Sequence, residues 1–470
     1  MKNKKHDCVF PWFFAQIKYL CVFKQVSIMS KRIVILLVAA LATVTACNKA
    51  SGGLSPDGYA NQGTKVADKN SALSPYEQKQ KLEAAGKELV EEIDVDNWKA
   101  TAEFMRALGE HFEELGDDSP YAFDAFEDWS QEVEEAILTS KAKNGKMTMR
   151  YTYALSKLPK GTFKEEDGEF EFTEGGSNVK IITYVDGKTV TITITNGAES
   201  KEYEIIRWDY EGSELDWEMR HYEGGEYSEW HEIYSVKIPA WINIEVKEGA
   251  ARRLNWKANF SYTDADGNGK IELEKDKADV STEIKFDNYT LAASEKYSSD
   301  KGVGHASASA SVYHGSKKLL AAGAESDVEI NGGIEDNFSG SAPNTVKAAV
   351  DVLGQVQAKG TIDFERAKYV EQKIDRYADE EQYARSLKDL ESCVDIAIYY
   401  DRKAGRQAWL GFEPLYDEWY HEWSYTPVIR FADDSSYGID EFFNANDFSS
   451  LIDALNDWAQ EVAEYFGTFK

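Results

Sequence analysis

"YVDGKTV", Tyr184 to Val190, places Asp-Gly between two runs whose apolar residues alternate, and a two-residue turn of this kind joins antiparallel strands. "EEDGEF" (Glu165 to Phe170) repeats the signal upstream. "DYEGSEL" (Asp209 to Leu215) and "YEGGEYS" (Tyr222 to Ser228) carry it in weaker form, because Glu enters the left-handed region less readily than Asp. From about Met147 to Ile330 the hydrophobic period is two, with turn signals every eight to twelve residues, which predicts a long antiparallel meander.

The flanks change period. Ser74-Pro75-Tyr76-Glu77 combines an N-cap Ser, a Pro at the first helical position and a Glu that closes a capping box, so a helix should start there. A second helix is expected from Asp96 to Gly116, and Ser119-Pro120 opens a third toward Lys141. Leu82, Leu89 and Ile93, then Phe104, Leu108, Phe112 and Leu115, recur at helical spacing. Beyond the meander come a Gly/Asn/Ser loop from Asn331 to Asn344, a strand near Gln355 to Ile362 and helices between Asp363 and Glu391. Strands follow at Val394 to Tyr400, Arg406 to Phe412 and Val428 to Phe431, then a helix from Asp447 to Phe466. "AFDAFEDWSQEVEEAI" (Ala122 to Ile137) matches "LIDALNDWAQEVAEYF" (Leu451 to Phe466) at eight of sixteen positions, with Trp129 or Trp458 on the apolar stripe of each. The surrounding strands show no matching repeat, so duplication and convergent packing on one sheet both remain open. The expected fold class is α+β: a large curved antiparallel β-sheet packed against N-terminal helices and a C-terminal helix.

The first 74 residues read differently. Ser30-Lys31-Arg32, the apolar run from Ile33 to Leu41 and a small-residue end have the layout of a secretory signal, too short for a spanning helix. Val44-Thr45-Ala46-Cys47 resembles the lipobox of bacterial lipoproteins, although Val stands where Leu is commonest. The resemblance is confined to this segment. It implies cleavage before Cys47, a diacylglycerol on its thiol and an acylated (palmitate-type) amino group, hence a protein tethered to a membrane of the cell envelope, the outer membrane by preference. Met29 directly precedes the signal, so residues 1–28 read as a misplaced start. The polar stretch 47–74 reads as a flexible tether with a mean reach of about 30 Å as a random coil. The body then divides into a helical segment 75–142, the meander 143–345, and a mixed segment 346–470 that completes the same body.

Charge narrows the partners. The net charge is -30, and removing Met1 to Ala46, with seven Lys/Arg and one Asp, makes it -36. Nucleic acid is not an expected partner, because counterion release needs clustered Lys and Arg. Of Cys8, Cys21, Cys47 and Cys393, Cys393 alone belongs to the expected folded body, where it reads as a buried structural thiol ahead of a strand.

Three stretches could hold a site. "TDADGNGKIELEK" (Thr263 to Lys275) places Asp264, Asp266, Asn268 and Glu272 at the first, third, fifth and ninth positions of a calcium loop and Gly269 at the sixth. Lys275 takes the twelfth position, where a bidentate Glu is required. Alternation before the loop (Trp256, Ala258, Phe260, Tyr262) and after it (Ile271, Leu273) makes it a corner between strands, with calcium the one cofactor to consider. The run Tyr203 to Ile238 is aromatic. Turns at Gly212-Ser213 and Gly224-Gly225 would pair Trp208 with Trp217, Ile206 with Met219, and Met219 with Trp230. Ile206, Trp208, Tyr210, Leu215, Trp217, Met219 and Trp230 would then share a core face, with a sugar-binding platform as the alternative reading.

"EPLYDEWYHEWSY" (Glu413 to Tyr425) is the third, and the chosen candidate for a ligand surface. As a strand it would bring Trp419, His421 and Trp423 to one face, either exposed for a ligand or packed on the terminal helix. The sequence holds no H-E-x-x-H, G-x-S-x-G, C-x-x-C, phosphate-cradling loop or dinucleotide fingerprint. A non-enzymatic binding or structural protein of the envelope is therefore the expected role. A carrier of lipid or another hydrophobic ligand and a carbohydrate-binding surface protein are the alternatives.

Overall fold

The computed structural model describes residues 65–66, 73–114, 145–157, 160–272, 275–300, 303–329, 343–401, 405–444 and 446–466. Cys47, the signal segment and the expected third helix from Ser119 to Lys141 lie outside them. The chain opens with β1 (Lys65–Val66), α1 (Pro75–Glu92) and α2 (Lys99–Glu114). Seven strands follow: β2 (Lys146–Tyr153), β3 (Gly161–Glu166), β4 (Glu169–Glu174), β5 (Val179–Val185), β6 (Lys188–Asn196), β7 (Glu199–Glu211) and, after the short helix α3 (Trp217–Arg220), β8 (Glu229–Pro239). The next group is β9 (Trp241–Glu248), β10 (Ala251–Thr263), β11 (Lys277–Phe286), β12 (Tyr289–Asp300), β13 (Val303–His314) and β14 (Lys317–Glu329). It continues through β15 (Pro343–Val352) and β16 (Val356–Asp363) to α4 (Phe364–Glu371), α5 (Glu380–Glu391) and β17 (Val394–Tyr400). The last group is β18 (Gly405–Arg406), β19 (Ala408–Asp417), β20 (Glu422–Phe431), β21 (Ser436–Gly438), α6 (Ile439–Phe442) and α7 (Ser449–Phe466).

A sixteen-stranded sheet in the order β21-β20-β19-β17-β16-β15-β14-β13-β12-β11-β10-β9-β6-β5-β3-β4 dominates the molecule, so the α+β class holds. All of its neighbours are antiparallel except β3 and β5. The Asp-Gly signals make hairpins as read: Val185 faces Lys188, Glu166 faces Glu169, and Asp167 and Asp186 adopt positive φ beside their glycines. The Glu-Gly signals do not. Residues 212–214 and 222–224 form short 3-10 turns around α3, and β7 pairs directly with β8, Trp208 opposite Glu232 and Tyr210 opposite Trp230. The expected Trp208–Trp217 and Met219–Trp230 registers are thus corrected: residues 212–228 fold as a helical excursion, begun by an Asp216 carboxylate that caps Met219 N–H at 2.8 Å.

The meander is also interrupted. β7 and β8 leave it with β2 to form a three-stranded sheet in which β2 runs parallel to β8. Its core is Met147, Met149, Leu215 and Trp230, whereas Trp217 is 73% exposed. β15 was missed from sequence because the turn-rich residues before it suggested a loop. It continues the ladder from β14 to β16, with one register shift where Asp327 faces Thr345 and Val328 faces Pro343.

At the first helix the capping box is present in both directions, Glu77 N–H to the Ser74 hydroxyl and Ser74 N–H to the Glu77 carboxylate. The second helix starts later than expected, at Lys99, behind a 3-10 turn over Val95–Asn97. Phe104 and Leu108 of α2 pack against Ile181, Val185, Val190, Ile192 and Val246, while Leu82, Ala85 and Leu89 of α1 meet Val352, Val356 and Tyr400. α7 forms the outer layer, burying Leu451 and Leu455 against Leu82 and Val90. Gly86 is what lets the two helices approach, since a Cβ there would lie 2.5 Å from Leu451 Cδ2. Trp458, from the repeated Asp-Trp motif, donates its indole N–H to Ile93 O at 2.9 Å.

The segment expected as a free tether is pinned near its end. Lys65 and Val66 pair in parallel with Gly405 and Arg406, and Leu73 N–H donates to Gln407 Oε1 at 2.8 Å. Gln78, fully buried, ties the same corner by donating to Leu73 O and Gln407 O. No helix among the described residues is long and apolar enough to cross a membrane.

Candidate functional site

The calcium-like loop joins β10 to β11, with Thr263 opposite Lys277, so the strand-flanked reading holds, although β11 begins at Lys277 rather than at Ile271. All four candidate ligands lie together. Asp264 accepts Asn268 N–H at 3.1 Å and Gly269 N–H at 2.9 Å, and Asn268 donates from its amide to Glu272 at 2.7 Å. Lysines supply the positive charge. Lys275 Nζ lies 2.8 Å from Glu272 and 3.2 Å from Asp266, and Lys201 Nζ reaches Asp264 from β7 at 2.7 Å. The Lys201 ammonium, with the Gly269 and Gly267 N–H groups, lowers the Asp264 pKa to about 2 against the opposing cost of burial. Among the described residues no group of three or more His, Cys, Asp or Glu is arranged to hold a metal ion.

The loop has a structural partner that the sequence did not reveal. Glu204 N–H donates to Gly269 O and Ile271 N–H donates to Glu204 O, both at 2.8 Å, so the loop adds a parallel bridge to β7 and stitches the small sheet to the large one. Asp276 organises it from inside. Its carboxylate, 3% exposed, accepts the Tyr262 hydroxyl, Ala265 N–H at 3.0 Å and Glu272 N–H at 2.6 Å. Burial, then the Asp276 hydrogen bond, push the Tyr262 phenol far above its usual range.

The stretch Glu413 to Tyr425 is a hairpin, not one strand. Asp417 faces Glu422, and residues 418–421 form the turn. Asp417 Oδ1 accepts the N–H groups of Trp419 at 2.8 Å and Tyr420 at 3.0 Å, an Asx arrangement that fixes the turn, while His421 takes a positive φ of 55°. Trp419 is 85% and Tyr420 68% exposed, with Leu415 and Tyr416 exposed beside them. Trp419, His421 and Trp423 therefore do not share a face. Trp423 turns inward, stacking on Tyr383 of α5 at 5.7 Å between ring centres and donating its indole N–H to Ala378 O at 3.1 Å. The hairpin thus packs on the α4–α5 pair rather than on the terminal helix.

That pair fills the space beyond β17, which meets β19 at Ala397–Trp409 and Ile398–Ala408. The Phe412 N–H, past the end of this pairing, donates instead to Glu391 Oε1 at 2.7 Å. Trp423 N–H donates to Arg376 O at 2.8 Å, so the residue between the two carbonyls that hold Trp423, Tyr377, comes beside the hairpin; its ring is 75% exposed. Tyr425 donates to Glu371 at 3.0 Å, and burial together with that carboxylate pushes its pKa up to about 12. Tyr416 and Tyr420 stood inside the aromatic stretch, but Tyr377 lies about forty residues upstream with no local signal. Cys393 is a free, buried thiol at the end of α5, hydrogen-bonded to Asp389 O at 3.4 Å. No family model and no curated protein matches this chain.

Proposed function

We propose that the protein is a lipid-anchored, non-enzymatic binding protein of the bacterial cell envelope, held by acyl chains on Cys47 at the outer membrane and binding through the β19–β20 turn. Val44-Thr45-Ala46-Cys47 supports the anchoring, since several acyl chains on one residue give stable attachment. The observation that carries the binding role is the turn itself. Trp419 and Tyr420 stand in solvent on a backbone fixed by Asp417, beside exposed Leu415 and Tyr416, and a contiguous apolar patch of this kind marks an interaction surface. The carrier alternative draws on fold outline alone, whereas the turn is a particular surface.

Fractionation of cells tests the anchor: Cys47→Ala should move the protein from membranes to the soluble fraction, and a variant that still sediments with membranes refutes it. Adsorption to isolated envelopes of the purified mature chain carrying Cys47→Ala, which lacks the acyl anchor, tests the surface. The double variant Trp419→Ala/Tyr420→Ala should adsorb about tenfold less. Unchanged adsorption would remove this turn as the binding surface.

A further inference from the structure

Resting on that binding role, we infer that the β19–β20 turn recognises a glycan chain that carries no acidic groups. The rings present flat apolar faces suited to the C–H faces of sugar rings, and Trp and Tyr do so at low entropic cost because each has only two side-chain torsions. Four aromatic residues are available: Trp419 and Tyr420 on the turn, Tyr416 at the end of β19, and Tyr377 brought alongside by the Arg376 and Ala378 carbonyls. Asp417 holds the turn rigid, so little order has to be created when a ligand docks.

Charge selects among ligands. Asp417, Glu418 and Glu422 flank the rings along the hairpin, Asp375 and Asp379 lie on the α4–α5 connection, and Glu380 and Glu381 open α5, with Glu381 paired to Arg385 at 3.1 Å. The basic groups there are Lys373, held against the Tyr369 ring, Arg376, and Arg385, which neutralises Glu381, so the carboxylates remain in excess. Carboxylates accept hydrogen bonds from sugar hydroxyls and attract amines, but they repel phosphate and uronate. The same charges disfavour an anionic lipid surface, where interfacial segments carry Lys and Arg instead.

Position agrees with the charge. The chain enters the body beside β18, where Lys65, Val66 and Leu73 are held by Gly405, Arg406 and Gln407. β19 starts there and carries the turn away over ten residues, about 30 Å at the usual strand rise. An anchor on Cys47 therefore pulls on one end of the hairpin while the rings occupy the other, free to meet a polymer away from the anchoring membrane.

Calorimetric titration of the full-length mature chain in detergent tests this with chitohexaose, cellohexaose, mannohexaose, a chitosan hexamer and an acidic galacturonate hexamer. At least one of the four non-acidic probes should bind, and the galacturonate should bind about tenfold or more weakly than it. Trp419→Ala should weaken binding about tenfold and Tyr420→Ala by a similar factor, with the melting temperature unchanged, while Trp217→Ala, exposed elsewhere, should have no effect. The inference is overturned if none of the non-acidic probes binds, if Trp419→Ala binds as well as the parent, or if the galacturonate is preferred. Should envelope adsorption require Trp419 while none of these sugars binds or competes, the glycan is wrong and the binding surface stands. Should adsorption ignore Trp419, both are wrong.

Discussion

Two acidic connections between antiparallel strands, the one from β10 to β11 and the one from β19 to β20, spend their polar groups in opposite ways. In the first, every candidate ligand is met from within the chain: Lys201 on Asp264, Lys275 on Asp266 and Glu272, and Asp276 beneath them. In the second, Asp417 fixes the backbone and the rings face outward. Residue spacing points to calcium in the first, and leaves the second open between a ligand surface and packing. What separates them is where the partners come from. A loop whose charges are satisfied by its own chain holds the fold together, and a turn that satisfies its backbone leaves its rings as the exposed surface on which the proposed binding role rests.

The largest effect is expected where the inward loop is most committed. Asp276→Ala removes one buried carboxylate and leaves the Ala265 and Glu272 N–H groups without their acceptor, while the Tyr262 hydroxyl keeps only Lys270 O, at 3.1 Å. A loss of about 3 kcal/mol should follow, read as a lower urea midpoint, because hydrogen bonds to a charged group contribute more than neutral ones and orphaned buried donors add to the loss. A loss within about 0.5 kcal/mol would show that the loop is not the seam between the sheets.

The next effect divides the outward turn into base and tip. Trp423 stacks on Tyr383, meets Tyr416 at a tilt and is hydrogen-bonded to Ala378 O, so Trp423→Ala should cost about 2 kcal/mol, less than a fully buried Trp because its ring is only half-buried. Trp419→Ala should stay within about 0.5 kcal/mol. Thermal melts of the two variants make the comparison, and equal losses would mean that Trp419 is part of the packing.

How much of this was legible follows from the range of each interaction. The capping box at Ser74 and the Asp-Gly hairpins depend on residues two or three apart, and these were read correctly. The Glu-Gly turns were misread because the competing Asp216 helix cap lay inside the same window, and a register shift reassigns every side chain after it. β15, the pinning of Lys65–Val66, and the contact of Arg376 and Ala378 with the β19–β20 hairpin all depend on partners tens to hundreds of residues away, which no local period encodes. The candidate residues were found, but their roles were not. Trp419 and Trp423 sit four positions apart in the same run, and only the hairpin geometry decides which one meets solvent.

The smallest effect would sharpen the comparison by reversing one half of it. Lys275 occupies the twelfth position counted from Asp264, where a calcium loop needs a carboxylate, and its ammonium bridges Asp266 and Glu272. Lys275→Glu removes that charge and supplies two oxygens at the position of the missing ligand. With a millimolar dissociation constant, 10 mM calcium would stabilise this variant by about 1.4 kcal/mol through mass action, seen as a rise in melting temperature. The parent protein should show no shift in the same titration, because binding there would require displacing the chain's own lysine. A shift in the parent would mean that Lys275 swings aside and that the loop is open to ions after all. No shift in the variant would mean that the strands flanking the loop hold its ends in a geometry that cannot close around an ion, so the inward character would come from the fold rather than from the lysine.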